Sequence, residues 1–182
     1  KQIQAGTGGD LQIYHDGTDS IIKNTNGNLY ISTSADDKDV IIQSDDGSGS
    51  LATYMQFDGS DTRIAVFKET RFYDNVKAVF GNSADLQIYH DTSNSVITNS
   101  TGHLTIQNSA DDSDIVFKSD DGSGGVAEYF RLDGSEAQNR FSKHVKLSDS
   151  VILRIGTGND LQLTHNGTNS VISNHTGDLQ IT

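Results

Sequence analysis

The chain repeats itself at a spacing of 75 residues. The string Asp-Leu-Gln-Ile-Tyr-His at 10–15 returns unchanged at 85–90, and it returns as Asp-Leu-Gln-Leu-Thr-His at 160–165. A chain built this way folds as a row of similar units that are stabilised by contacts between neighbours. The spacing predicts four segments: the end of a preceding repeat at 1–9, repeat 1 at 10–84, repeat 2 at 85–159, and the start of repeat 3 at 160–182.

Short β-strands dominate the predicted secondary structure. Alternate side chains of a strand share one face, so Leu11, Ile13 and His15 lie together. The opposite face changes from Tyr14 in the first copy to Thr164 in the third, a change that a tightly packed site would resist. We therefore predict that the Leu11 face is the core. The expected strands lie near 11–15, 19–23, 28–33, 39–43, 51–57, 62–68 and 71–80, with no helix.

Turn and strand patterns also indicate how the strands connect. Asp16-Gly17 and Asn26-Gly27 are typical of the tight turns that join hairpin strands. The runs at 40–42 and 115–117 are apolar on both faces. Such a strand must lie between two layers, or between this chain and another. The stretch 61–73 differs most from its counterpart at 136–148, and we expect it on the outer surface.

The apolar content is modest for so many strands, because hydrophobic residues make up 33% of the chain. A single thin layer cannot cover strands that are apolar on both faces. Three chains around a common axis would bury the second face and cover the open sheet edges. We therefore expect an all-β fibre built from a closely packed or intertwined homotrimer. A monomeric β-solenoid is the alternative.

Charge and composition exclude several partners. The chain carries 25 acidic and 13 basic residues, a formal net charge of −12, and no cluster of basic residues. Such a surface repels phosphate backbones, so no nucleic acid partner is expected. No apolar stretch is long enough for a membrane helix, and no membrane insertion is expected. The chain has no Cys, and because it begins with Lys1 we expect it to be a piece of a longer protein.

The string at 10–17, the loop Ser-Asp-Asp-Gly-Ser-Gly at 44–49 and Leu-Asp-Gly-Ser at 132–135 resemble a family of phage proteins. These are the repeats of tail-fibre and related virion structural proteins of tailed phages, particularly marine and freshwater phages. The resemblance covers the whole chain. It implies an elongated homotrimeric shaft in the virion that supports host attachment. A cell-surface glycan or protein receptor would be bound through other parts of the fibre.

Two departures from this pattern affect the first turn of the repeat. The second copy has Asp-Thr-Ser-Asn at 91–94 where the first has Asp-Gly-Thr-Asp at 16–19, so its turn must form without glycine. The third copy has Thr164 and Asn166 in place of Tyr and Asp.

Two other functions remain open from the sequence. One is a repeat adhesin or extracellular filament protein of a bacterium, located outside the cell or on its surface. The other is a tailspike that degrades polysaccharide with a pair of carboxylates. A tandem array would duplicate any catalytic site, and the chain has no Trp to stack against a sugar. We therefore predict no catalytic residue and no enzymatic activity.

Two groups of residues resemble metal ligands. Three chains around one axis would present three imidazoles at each of His15, His90 and His165, which suits a transition metal. A lone His lacks the His-x-His spacing, so we favour a His beside a turn that bonds to backbone. Clustered carboxylates suit calcium, which is the one possible cofactor. The sequence contains no known calcium-loop spacing, so we favour solvated turns for these residues. These carboxylates are Asp36, Asp37, Asp39, Asp111, Asp112 and Asp114.

Overall fold

The computed structural model describes residues 2–181, which form strands, turns and irregular segments without any helix. The strands in chain order are β1 (Gln2–Ala5), β2 (Leu11–His15), β3 (Ser20–Asn24), β4 (Val40–Asp45), β5 (Leu51–Asp58), β6 (Arg63–Val66), β7 (Ala78–Phe80), β8 (Leu86–His90), β9 (Ser95–Asn99), β10 (Ile115–Asp120), β11 (Val126–Asp133), β12 (Gln138–Phe141), β13 (Leu153–Ile155), β14 (Leu161–His165) and β15 (Ser170–Asn174). The prediction of an all-β fold is confirmed.

The strands form small antiparallel sheets of three strands each, in which consecutive strands pair side by side. We call the sheets β1–β2–β3, β7–β8–β9 and β13–β14–β15 the A sheets. The sheets β4–β5–β6 and β10–β11–β12 are the B sheets. The hairpin predicted at Asp16-Gly17 is confirmed, because His15 pairs with Ser20 and Ile13 with Ile22 across it.

Each B sheet contains a β-bulge at a tyrosine. The pairing of β4 with β5 shifts between Ile42 and Gln43, which leaves Tyr54 without an opposite residue, and Tyr129 has the same position in the second B sheet. The Tyr54 hydroxyl donates a hydrogen bond to the carbonyl of Asp45 at 2.8 Å, and the Tyr129 hydroxyl donates to Asp120 at 2.7 Å. The bulge therefore directs the tyrosine of the central strand along the sheet, where its hydroxyl bonds to the last residue of the edge strand β4 or β10.

Three predicted strands are absent or shortened. The segment 28–33 belongs to no sheet, of 62–68 only Arg63–Val66 forms a strand, and of 71–80 only Ala78–Phe80 does. The prediction at 28–33 was wrong for this chain because a strand needs a neighbour to pair with its backbone groups, and no described part of the chain supplies one. The turn at Asn26-Gly27 does form, held by bonds of 3.0 and 2.8 Å from the Asn24 amide, but no second hairpin strand follows it.

The described residues contain no buried hydrophobic side chain. Ile13 and Ile22, on the face predicted to be core, are 43% and 58% exposed. Both faces of 40–42 are also open, with Ile41 and Ile42 exposed. Within the chain the predicted core is therefore wrong, because no second layer covers these faces.

The chain divides into two compact units, Lys1–Gly102 and His103–Thr182. The division falls inside the predicted repeat 2, and the predicted repeat boundaries stay a prediction. Within each unit, strands contact only strands of their own sheet. No helix that is long and apolar enough to cross a membrane occurs among residues 2–181.

Candidate assembly interface

The three repeated histidines lie at the exposed ends of the central A-sheet strands. Each is directly opposite a serine on the next strand, and the Nδ1 to Oγ distances are 3.4, 3.3 and 3.2 Å along the chain. The favoured backbone partner was therefore wrong, because antiparallel pairing places a hydroxyl within reach of the ring. These pairs are His15 with Ser20, His90 with Ser95 and His165 with Ser170.

Two of the candidate calcium ligands form hydrogen bonds within their own B sheets. Asp39 accepts hydrogen bonds from the Gly59 N–H at 2.9 Å and from the Gln56 amide at 2.9 Å. Asp114 accepts from the Gly134 N–H at 3.0 Å in the second B sheet. Each oxygen of Asp39 thus accepts one hydrogen bond from the protein and keeps a further acceptor site.

The other four candidate carboxylates lie in exposed turns just before β4 and β10. Asp37 and Asp112 both have a φ of 54°, a left-handed conformation that Asp tolerates in turns. Among the described residues no group of three or more His, Cys, Asp or Glu side chains is close enough to hold a metal ion within the chain. The remaining two residues of this set are Asp36 and Asp111.

Many other aspartates act as hydrogen-bond acceptors inside their own turns. The Ser48 hydroxyl, 2.7 Å from the Asp46 carboxylate, and the Ser48 backbone N–H lower the pKa of Asp46. The Asp61 backbone N–H, 3.0 Å from Asp58, similarly lowers the pKa of that carboxyl. Donors that bind the charged form favour ionisation, so these turns keep their negative charge in moderately acidic solution.

Arg131 forms a charged cluster that the sequence analysis missed. Its guanidinium lies 3.1 Å from Asp114 and 2.9 Å from Asp133, which is only 5% exposed. The Ser135 hydroxyl, followed by the Glu136 backbone N–H, lowers the pKa of Asp133. The signal in the sequence was an Arg in a strand flanked by acidic residues, at the position where the first repeat has Gln56.

An apolar row crosses each A sheet on the histidine face. In the first sheet Ile3, Ile13 and Ile22 are cross-strand neighbours, and all three are exposed. Such rows stabilise sheets when a second layer covers them. The corresponding rows are Ala78, Ile88 and Ile97 in the second A sheet, and Leu153, Leu163 and Ile172 in the third.

The B sheets carry similar rows, but these differ between the two copies. The first B sheet aligns Ile42, Met55 and Val66. The second aligns Phe117, Phe130 and Phe141, whose successive ring centroids are 4.3 and 5.8 Å apart. The aliphatic row has thus become a stack of rings, and the outermost ring, Phe141, remains exposed.

The exposed area is far above that of a compact protein of this size. The chain exposes 14934 Å² at a mass of 19.6 kDa. A compact monomer of that mass exposes roughly 8,600 Å². The excess of roughly 6,000 Å² exceeds what many permanent subunit interfaces bury in total. The apolar rows are therefore the strongest candidate for a functional site, and that site is suited to binding another protein surface.

No protein-family model, no curated protein and no solved structure matches the chain.

Proposed function

We propose that this chain is a non-catalytic shaft segment of a phage tail fibre, assembled as a homotrimer in the virion. The observation that supports this proposal is the lack of any buried hydrophobic side chain among residues 2–181. A water-soluble chain with this much exposed apolar surface needs a covering partner. A second and third copy are the partners that the chain itself always supplies.

Threefold symmetry fits the distribution of the apolar rows. Each sheet has at least one apolar row on one face and open edges on both sides, so a neighbour must cover a face and an edge at once. Closed rotational symmetry does this with identical contacts and prevents unlimited side-to-side growth. The shaft then extends along the axis by adding sheets, and it spaces a receptor-binding tip from the particle.

A non-catalytic role is supported by the state of the polar groups. Several aspartates accept hydrogen bonds inside their own turns, as at Asp46 and Asp58. The buried carboxylate of Asp133 is paired with Arg131. General acid–base catalysis needs a group that is free to exchange a proton with substrate.

Light scattering coupled to size exclusion tests the assembly. The expected mass is three times the 19.6 kDa of one chain. Negative-stain images should show rods whose length is independent of concentration. A well-folded monomer at micromolar concentration would contradict the proposal, and a monomeric β-solenoid would replace it.

Location and activity need separate measurements. Antibodies raised against the purified chain should label the tail fibres of phage particles in electron micrographs. Label on bacterial surfaces instead would favour the adhesin. Incubation with host polysaccharide should release no new reducing ends, and their release would favour the tailspike.

A further inference from the structure

The segments 28–33 and 103–108 have strand sequences without strand pairing; we call them the unpaired segments. Both alternate apolar residues, with Leu29 and Ile31 in the first and Leu104 and Ile106 in the second. Ile31 is 67% exposed and its neighbour Tyr30 is 82% exposed. No backbone hydrogen bond joins either segment to another residue in the range 2–181.

The third copy of the repeat also has a strand sequence that pairs with no other strand in the part of the chain that the structure describes. The third copy begins this segment as Asp-Leu-Gln-Ile at 178–181, again outside any sheet, with Leu179 and Ile181 exposed. Backbone groups in water can bond to solvent, but water does not compensate the exposure of alternating Leu and Ile. A strand that meets a sheet edge on another chain gains both backbone bonds and burial.

An open groove runs beside each unpaired segment. In the first copy the residues that line it include Ile31, Val40 and Phe57, around a space of about 490 Å³. The second copy has the corresponding groove, whose lining includes Ile106 and Ile115. Val40 and Ile115 begin β4 and β10, which are edge strands of the B sheets.

The edges of the B sheets differ in how well they match between copies. The edge β4 reads Val-Ile-Ile-Gln-Ser-Asp and β10 reads Ile-Val-Phe-Lys-Ser-Asp, so both begin with three apolar residues. The opposite edges, β6 and β12, read Arg-Ile-Ala-Val and Gln-Asn-Arg-Phe and share little. The unpaired segments share the alternating Leu and Ile in both copies. The groove beside each segment is lined by the first residue of β4 or β10, so these edges are the partner that suits both copies.

We propose that the unpaired segments 28–33 and 103–108 pair as added strands with the β4 and β10 edges of a neighbouring copy of this chain. The inference rests on the proposed homotrimer, and it specifies which backbone joins the chains. The occupant is a second copy because the excess exposed area of roughly 6,000 Å² needs a partner of the chain's own size. Cross-chain backbone bonds would also fix the relative position of the chains, which side-chain burial alone does not.

Amide hydrogen exchange of the assembled protein, read by mass spectrometry, tests for this pairing directly. Amides in 28–33 and 103–108 should exchange more slowly than in an unstructured peptide, by roughly two orders of magnitude or more. Exposed loop amides at 143–146, which donate to no acceptor among residues 2–181, are the internal control and should remain fast. If the assembled wild type exchanges the unpaired segments as fast as that loop, the proposal is wrong.

A proline and alanine pair distinguishes pairing between chains from pairing within one chain. Proline at position 30 removes one N–H and blocks a ladder, whereas alanine removes only the exposed side chain. Tyr30→Pro with Thr105→Pro should lower the trimeric fraction at least tenfold near the wild-type midpoint concentration, and Tyr30→Ala with Thr105→Ala should not. Protected amides in a proline variant that stays trimeric would place the ladder inside one chain and overturn the inference. A monomeric wild type would refute the homotrimer itself, whereas a trimer with fast-exchanging segments would refute only the strand pairing.

Discussion

At the scale of single residues, Thr92 adopts a backbone conformation that the other two copies reach with glycine. Its φ is 86°, compared with 114° for Gly17 and 92° for Gly167. The expectation that the second turn forms without glycine therefore holds, with a β-branched residue in the left-handed region. Such a residue stores about 1–3 kcal/mol of strain, which the neighbouring hairpin must offset.

Replacing Thr92 with Gly should stabilise the protein. The change removes the strain, and the greater flexibility of glycine in the unfolded chain offsets part of the gain, so we expect a net increase of about 1 kcal/mol per chain. Urea unfolding of the assembled protein measures the difference. The reverse change, Gly17→Thr, is the matched control and should destabilise the first hairpin. Equal stability of Thr92→Gly and wild type would contradict this, because it would show that the strain is no larger than the entropic cost of the glycine.

The same turn sets a dependence on acidity. The backbone N–H of Asp19, 2.8 Å away, and then that of Thr18 lower the pKa of Asp16. In the third copy the neutral Asn166 accepts the corresponding bonds, from Asn169 at 2.8 Å and Thr168 at 3.0 Å. The geometry therefore does not require a charge, but the charge makes the turn sensitive to pH.

Asp16→Asn combined with Asp91→Asn should flatten the acid end of the stability profile. A carboxyl whose pKa is lowered by folding stabilises the protein above its unfolded pKa of about 3.9, and this contribution is lost as pH falls through the folded value. The double variant should match wild type within about 0.5 kcal/mol at neutral pH. It should lose less stability than wild type below about pH 4, as measured by unfolding midpoints. Parallel profiles for the two proteins would contradict this.

Sequence reasoning was most successful for residues that act locally. Aspartates in turns could be identified because, in the pattern Asp-x-Ser, the carboxylate accepts hydrogen bonds from the serine two residues later. The pairing of Arg131 with Asp114 could not be identified, because Asp114 lies just before the neighbouring strand β10. Asp133 is two residues away on the same strand, but nothing in the sequence singles it out as a partner of Arg131. The contact with Asp114 depends on the pairing of β10 with β11, which the sequence does not specify residue by residue.

At the scale of elements, the close approach within each B sheet depends on a glycine. A Cβ added to Gly59 would lie 2.5 Å from the carbonyl oxygen of Lys38, and one added to Gly134 would lie 2.5 Å from that of Ser113. Neither glycine has a positive φ, so the constraint is space and not conformation. The backbone at the start of β4 or β10 would have to move to admit a methyl group.

Gly59→Ala should therefore destabilise the first B sheet by about 1–3 kcal/mol, the usual cost of overpacking. Gly8→Ala is the control, because there the nearest atom is a movable Asp10 side-chain oxygen at 3.3 Å. Thermal unfolding of both variants gives the comparison. A Gly59→Ala protein as stable as Gly8→Ala would mean that the strand start shifts freely.

The strands that sequence predicted correctly are those whose partner is adjacent in the chain. The strands near 11–15 and 51–57 were placed within a residue or so, because their neighbours are joined to them by short turns. The segment 28–33 has an equally good pattern and no partner nearby. Periodicity reports which face a residue would take in a sheet, but it does not report whether a second strand is present.

At the scale of the whole molecule, electrostatic repulsion would oppose the proposed trimer. Three chains would bring together a formal charge near −36, three times the −12 of one chain. Salt screens this repulsion, because the Debye length falls to about 10 Å at 0.1 M and about 3 Å at 1 M. The trimeric fraction at a fixed protein concentration should therefore rise with sodium chloride.

Analytical ultracentrifugation from low salt to about 0.5 M sodium chloride measures this effect. Calcium chloride at matched ionic strength is the control that separates screening from specific binding to the Asp turns. A trimer that dissociates as sodium chloride rises would show that ion pairs, and not apolar rows, hold the chains together. Equal effects of the two salts would confirm that screening is sufficient.

The difference between the two B sheets bears on a problem that every repetitive bundle faces. Chains that slid past one another by one repeat would place an A sheet against an A sheet with similar second and third strands, so those strands would penalise the error little. The same slip would set the ring stack of Phe117, Phe130 and Phe141 beside the aliphatic row of Ile42, Met55 and Val66. Aromatic rings and aliphatic side chains fill space differently, so the mismatch would leave gaps or clashes. The difference between the two rows would therefore favour the register in which each repeat packs against the same repeat of the neighbouring chains.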